Sequence, residues 1–464
     1  MIKYLYQMRE RKGTKMKTRK LLVIIIAVVT LCLLMTATAF ADSETLKPTD
    51  SKSGTFTDEV DTFEYILTLN YSGNLKIDVH SEVEGNITYT CNVLEDNDSI
   101  DYKSIEKGDA SYNYELAPVE YRVKFYSSTP GDFSFTTTFT KAKETYTDDN
   151  NSINAIAKSD ALAFGTRVYG HIAQNDLEDW YKIVLPSSGK LTLAFSTNME
   201  RQVASLSEKD GENVLYELID KGTKTQSLHL SKGTYYLQMS RSSGYGKYSF
   251  KPTFTKSGET YTYENNTINS VRSKKAIPFG TVIKGQIAKN DNADCYKVSI
   301  PKTGKYSIKV TGAMTRVNFY ILTKDNDYEE LFFHDKGTNT YKVTLKKGTH
   351  YFMFSRNDGN GNYSFKVTPT KVNLKKLTKP SKGAIKVTWY KGTGNGYQIQ
   401  YSTSSTFKSG NKTKLITSNA TTSKTIKSLT SKKTYYVRIR TYVTGSDGKK
   451  IYSTWSAKKS IKTL

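Results

Sequence analysis

Oxygen-bearing side chains recur at matching places in two stretches of the 464-residue chain. The members of the two sets are Asp149, Asn151, Asp176 and Asp179 in the first and Glu264, Asn266, Asp291 and Asp294 in the second. Calcium is bound by about six to eight oxygens of this kind, so the repeated pattern predicts two calcium sites. A second interpretation stays open, because Asn-Asn and Asn-Asp pairs are also common in ordinary turns.

No sequence motif of a hydrolase accompanies these residues. The chain contains no HExxH, GxSxG, CxxC or phosphate-binding loop. Its histidines change identity between the repeats described below, where His171 aligns with Gln286 and His350 with Tyr235. Paired carboxylates for glycoside cleavage have no fixed spacing, yet no long segment remains to form a separate catalytic domain. We therefore expect a protein that is not an enzyme.

The formal charge of +24 is distributed unevenly along the chain. Residues 1–41 carry +7, residues 42–370 carry −3, and residues 371–464 carry +20. This last segment has 21 Lys and Arg against the single acid Asp447. Its excess of Lys over Arg suits diffuse attraction to a polyanion better than bidentate reading of nucleic-acid bases. A solvating role for the lysines is the other interpretation.

The first 41 residues contain the three parts of a secretory signal peptide in their usual order. Basic residues 15–20 precede an apolar run over 21–34, and Ala39-Phe40-Ala41 completes a small-residue cleavage site. We expect cleavage after Ala41 and a secreted chain without a transmembrane segment. An uncleaved anchor helix is the alternative, since the run approaches the ~20 residues that span a bilayer.

The body of the chain is a sequence repeat with an offset of 115 residues. ETYTDDNNSIN at Glu144 recurs as ETYTYENNTIN at Glu259, and GKYSFK at Gly246 recurs as GNYSFK at Gly361. A shorter and more divergent copy covers residues 54–141. It lacks the segment that corresponds to FGTxxxGxI, a motif that begins at Phe164 and Phe279 in the other two copies. Residues 42–53 then form a linker. Repeats of this length can each fold as a domain.

Alternation of apolar and polar residues indicates short strands in every copy. Tyr181, Ile183 and Leu185 alternate with polar or outward residues, which predicts an all-β fold of antiparallel sandwiches. The glycines of PSSGK and PKTGK, Gly189 and Gly304, are expected in hairpin turns with positive φ. Cys295 replaces Trp180 on the outward side of its strand, which predicts either a small residue that the position tolerates or a partly exposed thiol.

The order NNT/NNS, FGTxxxGxI, NDxxDxY, a Pro-Gly turn, KGTYY and a closing YSF strand resembles the bacterial pre-peptidase C-terminal domain. Copies at 144–256 and 259–370 show the whole pattern, and the copy at 54–141 shows its later half. The resemblance implies a jelly-roll-like β-sandwich, commonly appended to secreted enzymes. In its collagen-binding branch, similar linker and turn acids hold calcium.

Residues 374–464 resemble a fibronectin type III domain of the kind common in secreted Gram-positive proteins. Trp389 stands at the position of the family's core tryptophan on its second strand. Leu429, followed by Tyr435, Val437 and Ile439, matches the family's tyrosine-corner strand. The resemblance implies an immunoglobulin-like sandwich and little chemistry.

The sequence thus predicts a secreted, non-catalytic binding or adhesion protein of several β-sandwiches. Its expected partner is a cell-wall polyanion, a polysaccharide or a matrix protein, and nucleic acid is not expected. The alternative is a polysaccharide-binding accessory protein of an exported enzyme system, with Trp180, Tyr390 and Trp455 as sugar-stacking candidates.

Overall fold

The computed structural model describes residues 43–146 and 150–464. These residues divide into two compact units, of which the first comprises 43–146, 170–177 and 245–247 and the second the remainder. The predicted signal peptide and Asp149 lie outside the described residues. No described helix is long and apolar enough to cross a membrane.

The all-β fold that the sequence predicts is confirmed. The first sandwich has nine strands: β1 (Glu44–Leu46), β2 (Asp50–Phe56), β3 (Thr62–Thr68), β4 (Gly73–Ser81), β5 (Ile87–Val93), β6 (Ser99–Ile105), β7 (Gly108–Leu116), β8 (Glu120–Tyr126) and β9 (Gly131–Lys141). They form two sheets in the orders β1-β3-β8-β5-β6 and β2-β9-β4-β7. Alternate residues of both sheets, such as Leu75 and Tyr89, point inward and form the core between the sheets.

The first copy corrects two expectations from the sequence. Residues 42–53 are not a linker, because they contain β1 and the start of β2. The copy also keeps its head strand, since β2 pairs with β9 in the place that the FGTxxxGxI strand takes in the second copy. The sequence of β2, DSKSGTF, hid this role because it is polar except for the buried Phe56.

The second and third copies share one topology. Their elements are α1 (Ile153–Ile156), β10 (Val168–Ile172), β11 (Glu178–Leu185), β12 (Gly189–Glu208), β13 (Asn213–Leu230), β14 (Gly233–Ser243), β15 (Gly246–Lys256), α2 (Ile268–Arg272), β16 (Val282–Ile287), β17 (Ala293–Ile300), β18 (Gly304–Leu322), β19 (Tyr328–Leu345), β20 (Gly348–Asp358) and β21 (Gly361–Pro369). The long strands β12 and β18 each change partner at an irregularity, as in strands that turn the corner between layers.

Gly189 and Gly304 do not form hairpins, because β11 pairs with β14 rather than with β12, and β17 pairs with β20. Neither glycine has a positive φ. A Cβ atom at Gly189 would lie 2.5 Å from the carbonyl oxygen of Thr255, and one at Gly304 would lie 2.9 Å from Cβ of Thr393. Close approach of neighbouring chain segments explains both glycines.

Cys295 is buried, which excludes the partly exposed thiol and leaves the small residue that the position tolerates. It lies on the outer side of β17, but α2 covers that side and places Ile268 and Val271 against it. Burial raises the pKa of the Cys295 thiol to about 12. The sequence concealed this cover because a five-residue helix is too short to show a helical period.

The terminal sandwich contains β22 (Leu374–Thr378), β23 (Ile385–Trp389), β24 (Gly396–Ser402), β25 (Lys412–Ile416), β26 (Ser423–Ile426), β27 (Thr434–Thr444), β28 (Lys450–Tyr452) and β29 (Lys459–Lys462). One sheet has the order β22-β23-β26, and the other has the order β25-β24-β27-β28, with β29 also paired to β27. Trp389 lies in the core, and Tyr435 Oη accepts a hydrogen bond from the Thr430 amide at 3.2 Å, which closes the expected tyrosine corner.

Candidate functional site

Of the acids predicted to bind calcium in the third copy, Glu264 precedes α2, Asp291 lies in the turn before β17, and Asp294 is the second residue of that strand. Asp294 is 1% exposed. Its Oδ2 accepts a hydrogen bond from Tyr363 Oη at 2.6 Å, and its Oδ1 accepts one from Asn265 Nδ2 at 2.8 Å. Both carboxylate oxygens of Asp294 therefore have donors within the protein.

Asp291 borders a cavity of about 420 Å³ beside this turn. The polar residues that line the cavity include Glu208, Glu259, Glu264, Asn265, Asn266, Asn290 and Asp291. Burial raises the pKa of Asp291 to about 6, and the negative charges of Glu259 and Glu264 add to that rise. Burial also raises the pKa of Asp294 to about 8. The structure thus gathers mutually repelling carboxyl groups at the place where the sequence predicts calcium.

Two of these acids were missed in the sequence. Glu259 opens the ETYT motif, and its repetition at Glu144 is a signal that could have identified it. Glu208 comes from the preceding copy and contacts Asn290 Nδ2, a pairing that no local pattern reveals. Within residues 43–146 and 150–464, no three His, Cys, Asp or Glu side chains converge closely enough to hold a metal ion as placed.

Three of the four corresponding residues of the second copy lie within the described part of the chain. Asn151 is exposed, and Asp176 is half-buried in the first compact unit. Asp179 belongs to the second unit, where its Oδ2 accepts a hydrogen bond from Tyr248 Oη at 2.5 Å. Asp149 lies outside the described residues, so the set predicted for the second copy is described only in part.

One row of residues in the first sandwich has the composition of a hydrolase triad. Ser134, His80 and Asp109 are cross-strand neighbours on β9, β4 and β7. His80 Nδ1 lies 2.6 Å from Asp109 Oδ1, but its Nε2 faces Glu82 Oε1 at 2.9 Å rather than Ser134. A general base must point at the nucleophile whose proton it takes, so this row as placed does not activate Ser134.

The terminal sandwich presents its charge to solvent. All of its lysines are exposed, and the single acid, Asp447, lies 3.7 Å from Lys449 in the only ion pair of residues 374–464. Because almost none of the positive charge is compensated within the domain, the field around it is strongly positive.

The sugar-stacking candidates do not form one platform. Trp180 is half-buried in the second copy and donates from Nε1 to Glu178 Oε1 at 3.1 Å. Trp455 lies between the guanidinium groups of Arg440 and Arg438, which are 4.2 Å and 4.6 Å from its ring centre. Of the three rings, only Tyr390 is widely exposed, at 58%.

No known protein family matches the sequence, and no curated protein matches it. Among solved structures, the chain is similar to the pre-peptidase C-terminal domain of a collagenase from Bacillus anthracis, at 19% identity over 20% of this chain and 93% of that one, with a TM-score of 0.19. It is also similar to a two-domain fibronectin type III segment of chicken tenascin, at 14% identity over 37% of this chain and 100% of that one, with a TM-score of 0.21.

A third similar structure is a beta-1,2-glucanase from Parabacteroides distasonis, at 12% identity and a TM-score of 0.20. The match covers 40% of this chain and 33% of the glucanase. Identities and TM-scores this low carry no conclusion about the function of this chain.

Proposed function

We propose that this protein is an exported, non-catalytic binding protein whose terminal sandwich attaches to an anionic polymer of a cell wall. The signal-peptide pattern of residues 1–41 supports export. The repeated sandwiches supply surfaces for binding and are the expected means of adhesion. Outside a Gram-positive cell, teichoic acids are an abundant polyanion of the kind that such a domain would meet.

The observation that carries this proposal is the uncompensated charge of residues 374–464. Exposed lysines surround the sandwich, and a single ion pair, between Lys449 and Asp447, consumes one of them. Mobile ammonium groups attract polyanions without requiring a particular geometry. The strength of such attraction depends on salt, because counterions screen charges beyond about 10 Å at 0.1 M.

We expect the mature chain to sediment with purified Gram-positive cell walls and to elute in a few hundred millimolar NaCl. Walls from which the teichoic acids have been extracted should retain little of it. Neutral insoluble polysaccharide and collagen serve as comparison matrices in the same assay. Equal retention on extracted walls, or retention indifferent to salt, contradicts the proposal and favours a neutral polysaccharide as the ligand.

Calcium binding in the third copy is a second proposal. It is supported by the repulsion of Glu259, Glu264 and Asp291 around one cavity, which a divalent cation would relieve. Asn266 and the deeper Asp294 offer further oxygens. The side chains must rotate toward one another to complete a coordination shell, since they do not converge as placed.

Millimolar CaCl₂ is expected to raise the melting temperature of the chain, because binding to the folded state alone stabilises it. Asp291→Asn should abolish most of that rise. The matched control is Asp325→Asn, on an exposed turn of the same sandwich, which should leave the rise intact. Equal melting temperatures with CaCl₂ and with EDTA would rule out calcium binding.

A further inference from the structure

Two arginines form a regular ladder on the outer face of the five-stranded sheet of the terminal sandwich. Arg438 and Arg440 alternate on β27 with the buried Val437 and Ile439, so both side chains point away from the core. Side chains two residues apart on a strand lie about 7 Å from each other. The two guanidinium groups therefore lie side by side along the direction of β27.

Both guanidinium groups are held in place by neighbouring strands. Arg438 Nε donates to Gln400 Oε1 at 2.6 Å, and Arg440 Nε donates to Gln398 Oε1 at 2.8 Å. These glutamines are the cross-strand partners of the arginines on β24. Each Nε–H is thus occupied by a neutral acceptor, and no hydrogen bond within the described residues uses the terminal nitrogens.

Aromatic rings fix the planes of the same groups. The Arg438 guanidinium lies 4.1 Å from the ring centre of Phe407, and that of Arg440 lies 3.9 Å from the ring centre of Tyr452. Both also flank Trp455. Such cation–π stacking lowers the entropy that each arginine would lose when it binds a ligand.

The charge of the ladder has no partner in its own domain. Asp447, the domain's only acid, is paired with Lys449. Burial lowers the pKa of Arg438, and burial together with the adjacent Arg438 charge lowers the pKa of Arg440. Two half-buried cations side by side, with neutral glutamines where carboxylates would stabilise them, are an arrangement that an external anion would favour.

We propose that the Arg438–Arg440 ladder recognises the phosphodiester groups of a polymer that repeats at about the spacing of alternate strand residues. This inference rests on the proposed function and adds a specific site to the diffuse attraction of the lysines. A guanidinium presents a planar fork that matches two oxygens of a phosphate, whereas an ammonium acts as a point charge. Lys458, whose Nζ donates to the Ser405 carbonyl oxygen at 2.7 Å, lies beside Tyr436 near the ladder.

The first test compares the binding of the full mature chain to a glycerol-phosphate oligomer and to poly-L-glutamate of matched charge. Arg438→Lys with Arg440→Lys keeps the charge and removes the forks. This variant should bind the glycerol-phosphate oligomer at least tenfold more weakly and poly-L-glutamate almost unchanged. The control variant, Lys424→Gln with Lys427→Gln, also changes two residues, but it removes two charges at or near β26 and leaves both guanidinium groups in place. It should weaken both interactions equally.

A second variant separates recognition from stability. Gln398→Glu with Gln400→Glu keeps every stack and every Nε acceptor but supplies the missing carboxylates, so its melting temperature should stay the same or rise. Its affinity for the glycerol-phosphate oligomer should fall at least tenfold. If wild type and both ladder variants bind that oligomer equally well, the ladder is only structural and the inference is wrong. If wild type binds neither polymer at low salt, the proposed function itself fails.

Discussion

In calcium-free buffer containing EDTA, the third sandwich is expected to lose several kcal/mol of stability as the pH rises from about 4 to about 8. Asp294 is the main cause of this loss, because burial raises its pKa from the ordinary 3.8 to about 8 in the folded chain. Below pH 4 the carboxyl group is protonated in both states. Between the two pKa values only the unfolded chain releases the proton, which favours unfolding, and above about pH 8 the loss is complete. Each pKa unit corresponds to about 1.4 kcal/mol.

Asp294→Asn should reduce this dependence to the smaller part that Asp291 causes, because the amide cannot ionise whereas the pKa of Asp291 is also raised, to about 6. Hydrogen exchange of peptides from 282–369, followed by mass spectrometry, reports the stability of this sandwich separately from the others. Asp325→Asn is again the control and should keep the wild-type slope. Since a bound cation favours ionised carboxylates, CaCl₂ should stabilise the wild type more at pH 8 than at pH 5. A wild-type stability that is constant or rises over this range would contradict the assignment of a raised pKa to Asp294.

Trp389→Ala is expected to destabilise the terminal sandwich by about 3–5 kcal/mol, the usual loss for deleting a buried aromatic side chain. Trp389 is 2% exposed, and its ring centre lies 5.4 Å from that of Tyr397. This loss is a large fraction of the roughly 5–15 kcal/mol that stabilises a typical domain, so the unfolded fraction of the domain should rise steeply at 37 °C. Urea denaturation, monitored by hydrogen exchange of peptides from residues 385–443, measures the change in the free energy of unfolding.

The binding properties of Trp389→Ala show whether polyanion binding depends only on the charge of the domain or also on its folded structure. The variant keeps all the basic residues of 371–464, so weak, salt-sensitive retention on poly-L-glutamate should persist. Preferential binding of the glycerol-phosphate oligomer should fall in proportion to the unfolded fraction, because the ladder exists only while β24 and β27 are paired. Trp389→Phe is the milder control and should preserve both properties. An unchanged urea midpoint in Trp389→Ala would show that the ring does not support the core.

The sequence predicts the all-β fold well where strands are long and alternate strictly. The pattern of β11, for example, has the buried Tyr181, Ile183 and Leu185 on one side, as expected. It fails where a strand is polar, as in β2, and where tertiary contact decides the role of a residue. Gly189 looks like a turn residue, yet it is needed because Thr255 approaches its α-carbon.

Sequence prediction of the candidate sites is limited in the same way, because it does not show which distant residues come into contact. The repeated motifs include Glu264, Asn266 and Asp291, which line one cavity, but no motif indicates Glu208, which approaches the same cavity from another copy. The arginine ladder is invisible in the sequence for a related reason. Arg440, Gln398 and Trp455 are far apart along the chain and meet only through strand pairing.

The most direct test of the proposed function is the salt dependence of binding between the full mature chain and purified teichoic acid. The logarithm of the binding constant should fall linearly with the logarithm of NaCl concentration, with a loss of about tenfold or more between 50 and 200 mM. Replacing Lys412, Lys414, Lys424 and Lys427 with Gln should reduce that slope. Absence of binding at 50 mM NaCl, or a binding constant that does not change with salt, would contradict attachment through the basic terminal sandwich.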